Sequence, residues 1–295
     1  MGCGPGLITQ ESQVKKLLLL VFLSAVFLPY VSEAASELFY PYVVFPTGSW
    51  PDAVEIGDVN GDGRNDVVMG TASFGDPIND HRLFVFLQNE RGKLDPPIKY
   101  QTTSEVSHKS ISVGDMNYDG LTDVVVGNSG ADIQIFLQNA LGGLDSPTVY
   151  ATADSKSIKI SDLNNDGRLD VVGIGRDTNT VSVFFQNAGG SLDSPVVYGV
   201  TYDGYEEVDV GDVNHDGLND VIVMSGQGNI GVLLQQPGGT FAAASYCEPG
   251  GGDETRGVAV GDINGDTRQD IVVTYGRSPP YSKIGVFLQN GSDTL

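Results

Sequence analysis

A nine-residue acidic loop occurs five times in this chain of 295 residues. The copies read DVNGDGRND from Asp58, DMNYDGLTD from Asp115, DLNNDGRLD from Asp162, DVNHDGLND from Asp212 and DINGDTRQD from Asp262. Their first residues stand 57, 47, 50 and 50 positions apart. A repeat of that period restricts the fold more than any bulk property does. Each unit is a supersecondary element too small to bury its own apolar face, so neighbouring units must stack into one array.

The order of parts within a unit is constant. An alternating strand leads into the loop at residues 54–56, 111–113, 158–160, 208–210 and 258–260. A β-branched run leaves it at residues 67–69, 124–126, 171–174, 221–224 and 271–273. A third strand is expected over residues 83–89, 133–139, 181–187, 230–236 and 284–290, and a fourth over 97–100, 147–150, 195–198 and 244–246. Short β-branched runs separated by Gly, Asn and Asp are strands and turns, and nothing after residue 36 has helical periodicity with caps. Four strands per unit predicts an all-β fold, a β-propeller of four-stranded blades, with a solenoid as the competing arrangement.

The chain ends sharpen this expectation. Residues 290–295 stop where a fourth strand of the fifth unit would begin, and residues 39–45 (FYPYVVF) read as a fourth strand lacking its first three. Pairing the two predicts five blades closed into a ring, which would remove exposed sheet edges. A segment of a larger ring is the alternative.

Loop chemistry points to a ligand. Positions 1, 3, 5 and 9 carry side-chain oxygens, and position 7 can offer a backbone carbonyl whatever its side chain. The candidate metal ligands are therefore Asp58, Asn60, Asp62, Arg64 and Asp66; Asp115, Asn117, Asp119, Leu121 and Asp123; Asp162, Asn164, Asp166, Arg168 and Asp170; Asp212, Asn214, Asp216, Leu218 and Asp220; and Asp262, Asn264, Asp266, Arg268 and Asp270. Such an oxygen set suits Ca²⁺, which takes 6–8 oxygens in flexible geometry. There is no Cys/His cluster for zinc, since His81, His108 and His215 are scattered. Each loop resembles the front of an EF-hand but has no Glu at position 12, where Met69, Val126, Gly173, Val223 and Val273 stand. Up to five Ca²⁺ are expected. The fifth site should be weaker, because Thr267 replaces Gly63, Gly120, Gly167 and Gly217 at a position where a sharp turn demands φ > 0.

The D-x-[DN]-x-D-G-x-x-D motif, complete in four units and nearly so in the fifth, resembles the FG-GAP/VCBS repeats of the integrin α-chain propeller type, over residues 39–295. That resemblance implies a propeller with Ca²⁺ in the loop between the first two strands of a blade. It commonly implies seven blades, against the five units found here.

Bulk properties exclude other classes. The formal net charge is −22, and the loops hold 15 of the 38 acidic residues. Nucleic acid is excluded as a partner because phosphate would be repelled. Cys3 and Cys247 make no disulfide framework, and Cys247 reads as a small apolar core residue. Lys15 and Lys16 precede an apolar run over residues 17–31 and a small-residue stretch at 32–36. That pattern reads as a secretory signal within residues 1–35, too short for a bilayer span, followed by one domain over 36–295. The product is expected outside the cell, in the periplasm or on the cell surface.

No catalytic motif is present. The expected activity is binding or adhesion to a carbohydrate or an extracellular protein, with a polysaccharide-active glycosidase or lyase, or a plain scaffold, as alternatives. Candidate contact residues in the variable turns are Trp50, Glu105, His108, Tyr202, Tyr205, Glu206 and Arg256 on one set of loops, and Phe74, His81, Arg176, Asp177, Tyr275 and Tyr281 on another. Equivalent inner-strand positions, Glu55, Ser112, Lys159, Asp209 and Ala259, are expected to form an internal salt-bridge ring or a solvated edge.

Overall fold

The structure is a computed structural model. It describes residues 43–47, 49–72, 81–103, 107–129, 132–152, 155–175, 179–201, 204–225, 228–247, 255–276 and 283–291. The expected signal lies outside these residues. Two compact units divide at Pro46 and Thr47. In the first unit, residues 43–46 carry no strand.

The second unit holds all the strands of the described residues. Sheet one is β1 (Pro51–Gly57), β2 (Asp66–Thr71), β3 (Arg82–Phe86) and β4 (Ile98–Gln101). Sheet two is β5 (His108–Gly114), β6 (Asp123–Asn128), β7 (Asp132–Phe136) and β8 (Thr148–Ala151). Sheet three is β9 (Ser157–Ser161), β10 (Asp170–Ile174), β11 (Thr180–Phe184) and β12 (Val196–Gly199). Sheet four is β13 (Tyr205–Gly211), β14 (Asp220–Ser225), β15 (Ile230–Leu233) and β18 (Ser245–Cys247), with a small ribbon of β16 (Gln235–Gln236) and β17 (Thr240–Phe241). Sheet five has three strands, β19 (Thr255–Gly261), β20 (Asp270–Tyr275) and β21 (Lys283–Phe287). Each sheet is an antiparallel meander, and no helix occurs among the described residues. The blade pattern read from the sequence is therefore present.

Burial follows strand order. β6, β10 and β14 are buried along their whole length, because neighbouring sheets cover both faces of these Val-rich runs. The outer strands β4, β8 and β12 are mostly exposed. The core lies between sheets: Val68, Leu83 and Val85 of sheet one meet Ile111, Val124, Val126 and Phe136 of sheet two. Three further clusters fill the remaining junctions in the same way. Cys247 is partly buried against the cluster between sheets four and five.

Small residues let the inner strands approach. A Cβ on Gly57 would lie 2.8 Å from Val113 Cγ2, and one on Gly114 would lie 2.7 Å from Ile160 Cδ1. Where sheet three has Ser161 instead, the Asn219 amide donates to its Oγ at 3.0 Å. Inner strands are also tied by side chains. Ser110 Oγ accepts from the Ile158 amide at 3.2 Å, and Asp209 Oδ2 accepts from the Val260 amide at 2.8 Å. Lys159 pairs with Asp209 at 3.3 Å, so these two inner positions serve as the internal salt bridge expected of them.

The described residues show five blade sheets, and the expected pairing of residues 39–45 with the fifth lies partly outside them. Sheet five has no fourth strand among the described residues. Its far face is uncovered: Ile284 and Val286 are 69% and 49% exposed, whereas the equivalent Leu83 and Val85 are 0% and 1% exposed. At the other end Val54 and Ile56 are 65% and 59% exposed, against 6% for Ile111. The sheet faces that closure would press together are thus both open to solvent. Strand propensity alone suggested the pairing; nothing local in the sequence fixes the rotation between blades, which decides whether five of them close.

Candidate metal centre

Each acidic loop joins the first and second strands of its sheet, and all five share one internal geometry. The position 1 aspartate folds the loop around itself. Its Oδ2 accepts from the position 6 amide at 2.8 Å in every copy, from Gly63, Gly120, Gly167, Gly217 and Thr267. Its Oδ1 accepts from the position 5 amide, at 3.1 Å for Asp58 and Asp62. The position 3 asparagine Oδ1 accepts from that same amide, at 3.0 Å for Asn60 and 2.8 Å for Asn264. The position 5 aspartate Oδ1 accepts from the position 7 amide, at 2.9 Å for Asp62 and 2.8 Å for Asp119.

Two left-handed residues make this turn. Position 6 has φ of 82°, 86°, 84° and 85° at its glycines and 72° at Thr267, so the positive φ expected there is present. Position 4 is also left-handed, at Gly61, Tyr118, Asn165, His215 and Gly265. The sequence hid this, because only two of those five residues are glycine.

Position 9 sits apart from the rest. Asp66, Asp123, Asp170 and Asp220 are fully buried at the first residue of the second strand, and Asp270 is 1% exposed. Each carboxylate staples two chain segments. Asp170 Oδ2 accepts from the Leu163 amide at 2.9 Å, and its Oδ1 accepts from the Gln186 amide at 2.8 Å, at the end of the third strand. Gln88, Gln138, Gln235 and Gln289 play the Gln186 part elsewhere. Burial pushes the carboxyls of Asp66, Asp123, Asp170 and Asp220 up, the two amides pull back, and repulsion from positions 5 and 1 adds to the rise. Asp123 and Asp170 reach about 6 and Asp220 about 7, while Asp66 is raised.

Position 7 does more than expose a carbonyl. Arg64 and Arg168 fold back onto Asp62 and Asp166, and Arg268 pairs with Asp266 at 3.1 Å. The Nε groups of Arg64 and Arg168 donate to the carbonyls of Gln88 and Gln186 at 2.9 and 3.0 Å. Loops two and four, with Leu121 and Leu218, have no guanidinium at this position.

Fit to a metal is judged on the donor set. Three carboxylates and an amide oxygen per loop, all held by backbone amides that leave oxygen lone pairs over, match a hard cation. Among the described residues no three Asp, Glu, His or Cys side chains converge as an ion-holding group. Positions 1, 3 and 5 gather on the loop amides, and position 9 is tied into the sheet.

The expected contact residues fare differently. His108 is no surface residue: it is fully buried, and its Nδ1 accepts from the Thr71 amide at 3.1 Å. It occupies the seam between sheets one and two, where Ser155 stands at the next seam and accepts from the Asn128 amide at 2.9 Å. Trp50 is 62% exposed, in keeping with a contact role. His81 has φ of 51°, and its carbonyl accepts from Thr102 Oγ1. Phe74, Glu105, Arg176, Asp177, Tyr202 and Tyr281 lie outside the described residues, as do the side chains of Tyr205, Glu206, Arg256 and Tyr275.

The Gly-rich hairpin expected between third and fourth strands is present, and sequence reading missed only the side chains that clamp it. Asn89, Asn139 and Asn187 donate through Nδ2 to Asp95, Asp145 and Asp193 at 2.7, 2.8 and 2.9 Å. The recurring Gln-Asn and Leu-Asp pairs flanking each turn were the available signal. Outer-strand tyrosines bridge to the next blade at the same level: Tyr100, Tyr150 and Tyr198 hydroxyls accept from the amides of Leu144, Leu192 and Phe241.

The comparisons bear on fold and family. Among solved structures, BBS1N in complex with ARL6DN is similar at 14% identity and a TM-score of 0.49, covering 82% of this chain and 79% of that one. A Photorhabdus luminescens Tc holotoxin pore matches at 14% identity and a TM-score of 0.46, covering 86% of this chain and 12% of that one. The V. cholerae biofilm matrix protein Bap1 matches at 19% and 0.49, covering 86% and 40%. This chain therefore spans well under half of the last two. No curated protein sequence matches it. The profile of FG-GAP-like repeats matches four times, over residues 58–126, 115–172, 162–223 and 212–273, a span that contains all five acidic loops. The chain belongs to the FG-GAP-like repeat family.

Proposed function

We propose that the protein is a secreted, calcium-binding β-propeller module that binds a carbohydrate or an extracellular protein. The observation that carries the calcium reading is the identical fold of five loops, each directing Asp, Asn and Asp oxygens around one turn. In each loop, positions 1, 3, 5 and 9 and the position 7 carbonyl would hold the ion. A bound Ca²⁺ would set its double charge against three carboxylates and relieve their repulsion. Five ions would bring the net charge from −22 to about −12.

The ion's role is structural. Extracellular calcium sites bind at roughly 0.1–1 mM. At about twentyfold saturation each would stabilise by roughly 1.8 kcal/mol, and five by roughly 9 kcal/mol, comparable to a whole domain's net stability. Export follows from the signal pattern in residues 1–35, with residues 36–295 as the exported domain. Among the described residues no helix is long and apolar enough to cross a membrane.

A melting curve with and without EDTA, beside calorimetric titration with Ca²⁺, tests the metal. Chelation should lower Tm markedly, and an unchanged curve would refute the role. A glycan array probed with and without Ca²⁺ tests the binding reading. Turnover of a polysaccharide library would instead make the protein an enzyme.

A further inference from the structure

The acidic loops are not alone at the rim. At three successive junctions the hairpin of one blade rests on the loop of the blade before it, through a glycine. A Cβ on Gly142 would lie 2.9 Å from the carbonyl oxygen of Asn60. On Gly190 it would lie 2.9 Å from the Asn117 carbonyl oxygen, and on Gly239 it would lie 2.6 Å from Asn164 Cβ. Each partner is the position 3 asparagine of the preceding loop. The glycines have φ of 76°, 76° and 78°. Gly92 is the same hairpin residue in the first blade, with φ of 67°, and nothing lies within 4 Å of its Cβ position.

Loop one receives a second contact from blade two, since a Cβ on Gly61 would lie 3.1 Å from Gln138 Nε2. Gln138 Oε1 meanwhile accepts from the Thr122 amide, in loop two, at 2.9 Å. One hairpin thus touches two successive loops.

We propose that Gly142, Gly190 and Gly239 are positioning residues for cation binding: by fixing the backbone of Asn60, Asn117 and Asn164, they couple ion occupancy of loops one to three to the seating of the following blade. The inference rests on the calcium reading given above. Asn60 carries the coupling because its side chain holds the Asp62 amide and carboxylate, both at 3.0 Å. A displaced Asn60 backbone therefore moves two of the loop's oxygen donors together. Linkage makes the effect reciprocal: an ion in the loop strengthens the junction by the same factor that the junction strengthens the ion. Among the described residues no hairpin glycine meets Asn214 or Asn264, so loops four and five lack this support.

The test compares Gly142→Ala with Gly92→Ala, which carries the same backbone strain without the contact. Native mass spectrometry at fixed free Ca²⁺ counts ions, and melting is followed in Ca²⁺ and in EDTA. Gly142→Ala should weaken one site about fivefold or more and should shrink the Ca²⁺-dependent rise in Tm, while Gly92→Ala leaves both unchanged. A merely structural glycine would lower Tm equally in Ca²⁺ and EDTA and leave ion counts alone, which overturns the proposal. Gly190→Ala and Gly239→Ala provide independent repeats should one variant fail to fold. If the native protein binds no Ca²⁺, the functional reading itself falls. If it binds Ca²⁺ and the two variants match, only the coupling falls.

Discussion

Thr71 donates its backbone amide to Nδ1 of His108, 3.1 Å away, across the seam between the first two blades. An accepting Nδ1 places the ring proton on Nε2, so the imidazole must be neutral to make this bond. Burial and the neighbouring His81 hold its pKa down to about 4, against the partial pull of Asp132 and Asp52.

That depression has a sign. The folded pKa lies below the unfolded value of about 6.5, so the stabilisation is complete above about pH 6.5 and is lost as pH falls toward 4. The full loss is roughly 3 kcal/mol. His108→Asn keeps an acceptor and removes the titration. Urea midpoints at pH 7.5 and 4.5 should show a smaller acid loss in the variant. Asp123, Asp170 and Asp220 titrate over an overlapping range with opposite sign in both proteins and cancel in the difference. Equal acid sensitivity would refute the assignment.

Asp170→Ala removes the carboxylate that accepts from two backbone amides, those of Leu163 and Gln186. Leaving both groups without an acceptor should cost about 3 kcal/mol. Urea denaturation in EDTA measures this without any contribution from a metal. A loss below about 1 kcal/mol would show that these carboxylates matter only as ion ligands.

Thr267 holds φ of 72° with a β-branched side chain. Thr267→Gly should raise stability by about 0.5–1 kcal/mol and bring the fifth site closer to the others. Calorimetric titration and Tm together check it. Five equal sites in the native protein would show that the strain does not reach the ligands.

Arg168 pairs with Asp166 in loop three, whereas loops two and four have leucine at that place. A unit positive charge about 6 Å from a divalent ion would disfavour it by about 1.4 kcal/mol in water, so Arg168→Leu should tighten that site up to about tenfold, less as salt screens it. The same change should lower stability in EDTA, where the guanidinium is what offsets the loop's charge. Weaker Ca²⁺ binding in the variant would contradict this account.

Much of the architecture was legible because it repeats. The alternating and continuous β-branched runs give strand order without help from neighbours, and four glycines at position 6 announce a left-handed turn. Position 4 stayed hidden, since Tyr118, Asn165 and His215 adopt φ of 61–64° with no glycine to mark it. His108 was misread because its counterparts, Pro51, Ser155, Tyr205 and Thr255, share no chemistry, so it looked like a variable turn residue. Only the fold shows that this position meets the end of the previous blade's second strand. Closure was out of reach for the same reason: it depends on rotations between blades, which no single unit encodes.

Among the described residues, Ile284 and Val286 in the fifth blade and Val54 and Ile56 in the first mark the two blades with a covered face on one side only. In an array held by nearest-neighbour contacts, such a unit opens without waiting for the rest. Hydrogen exchange should therefore run as a gradient, fast in the outermost strands of both terminal sheets (β1 and β21) and slowest in β6 and β10, which are buried along their whole length. The protein has an order built into its unfolding, from both ends of the array toward its middle.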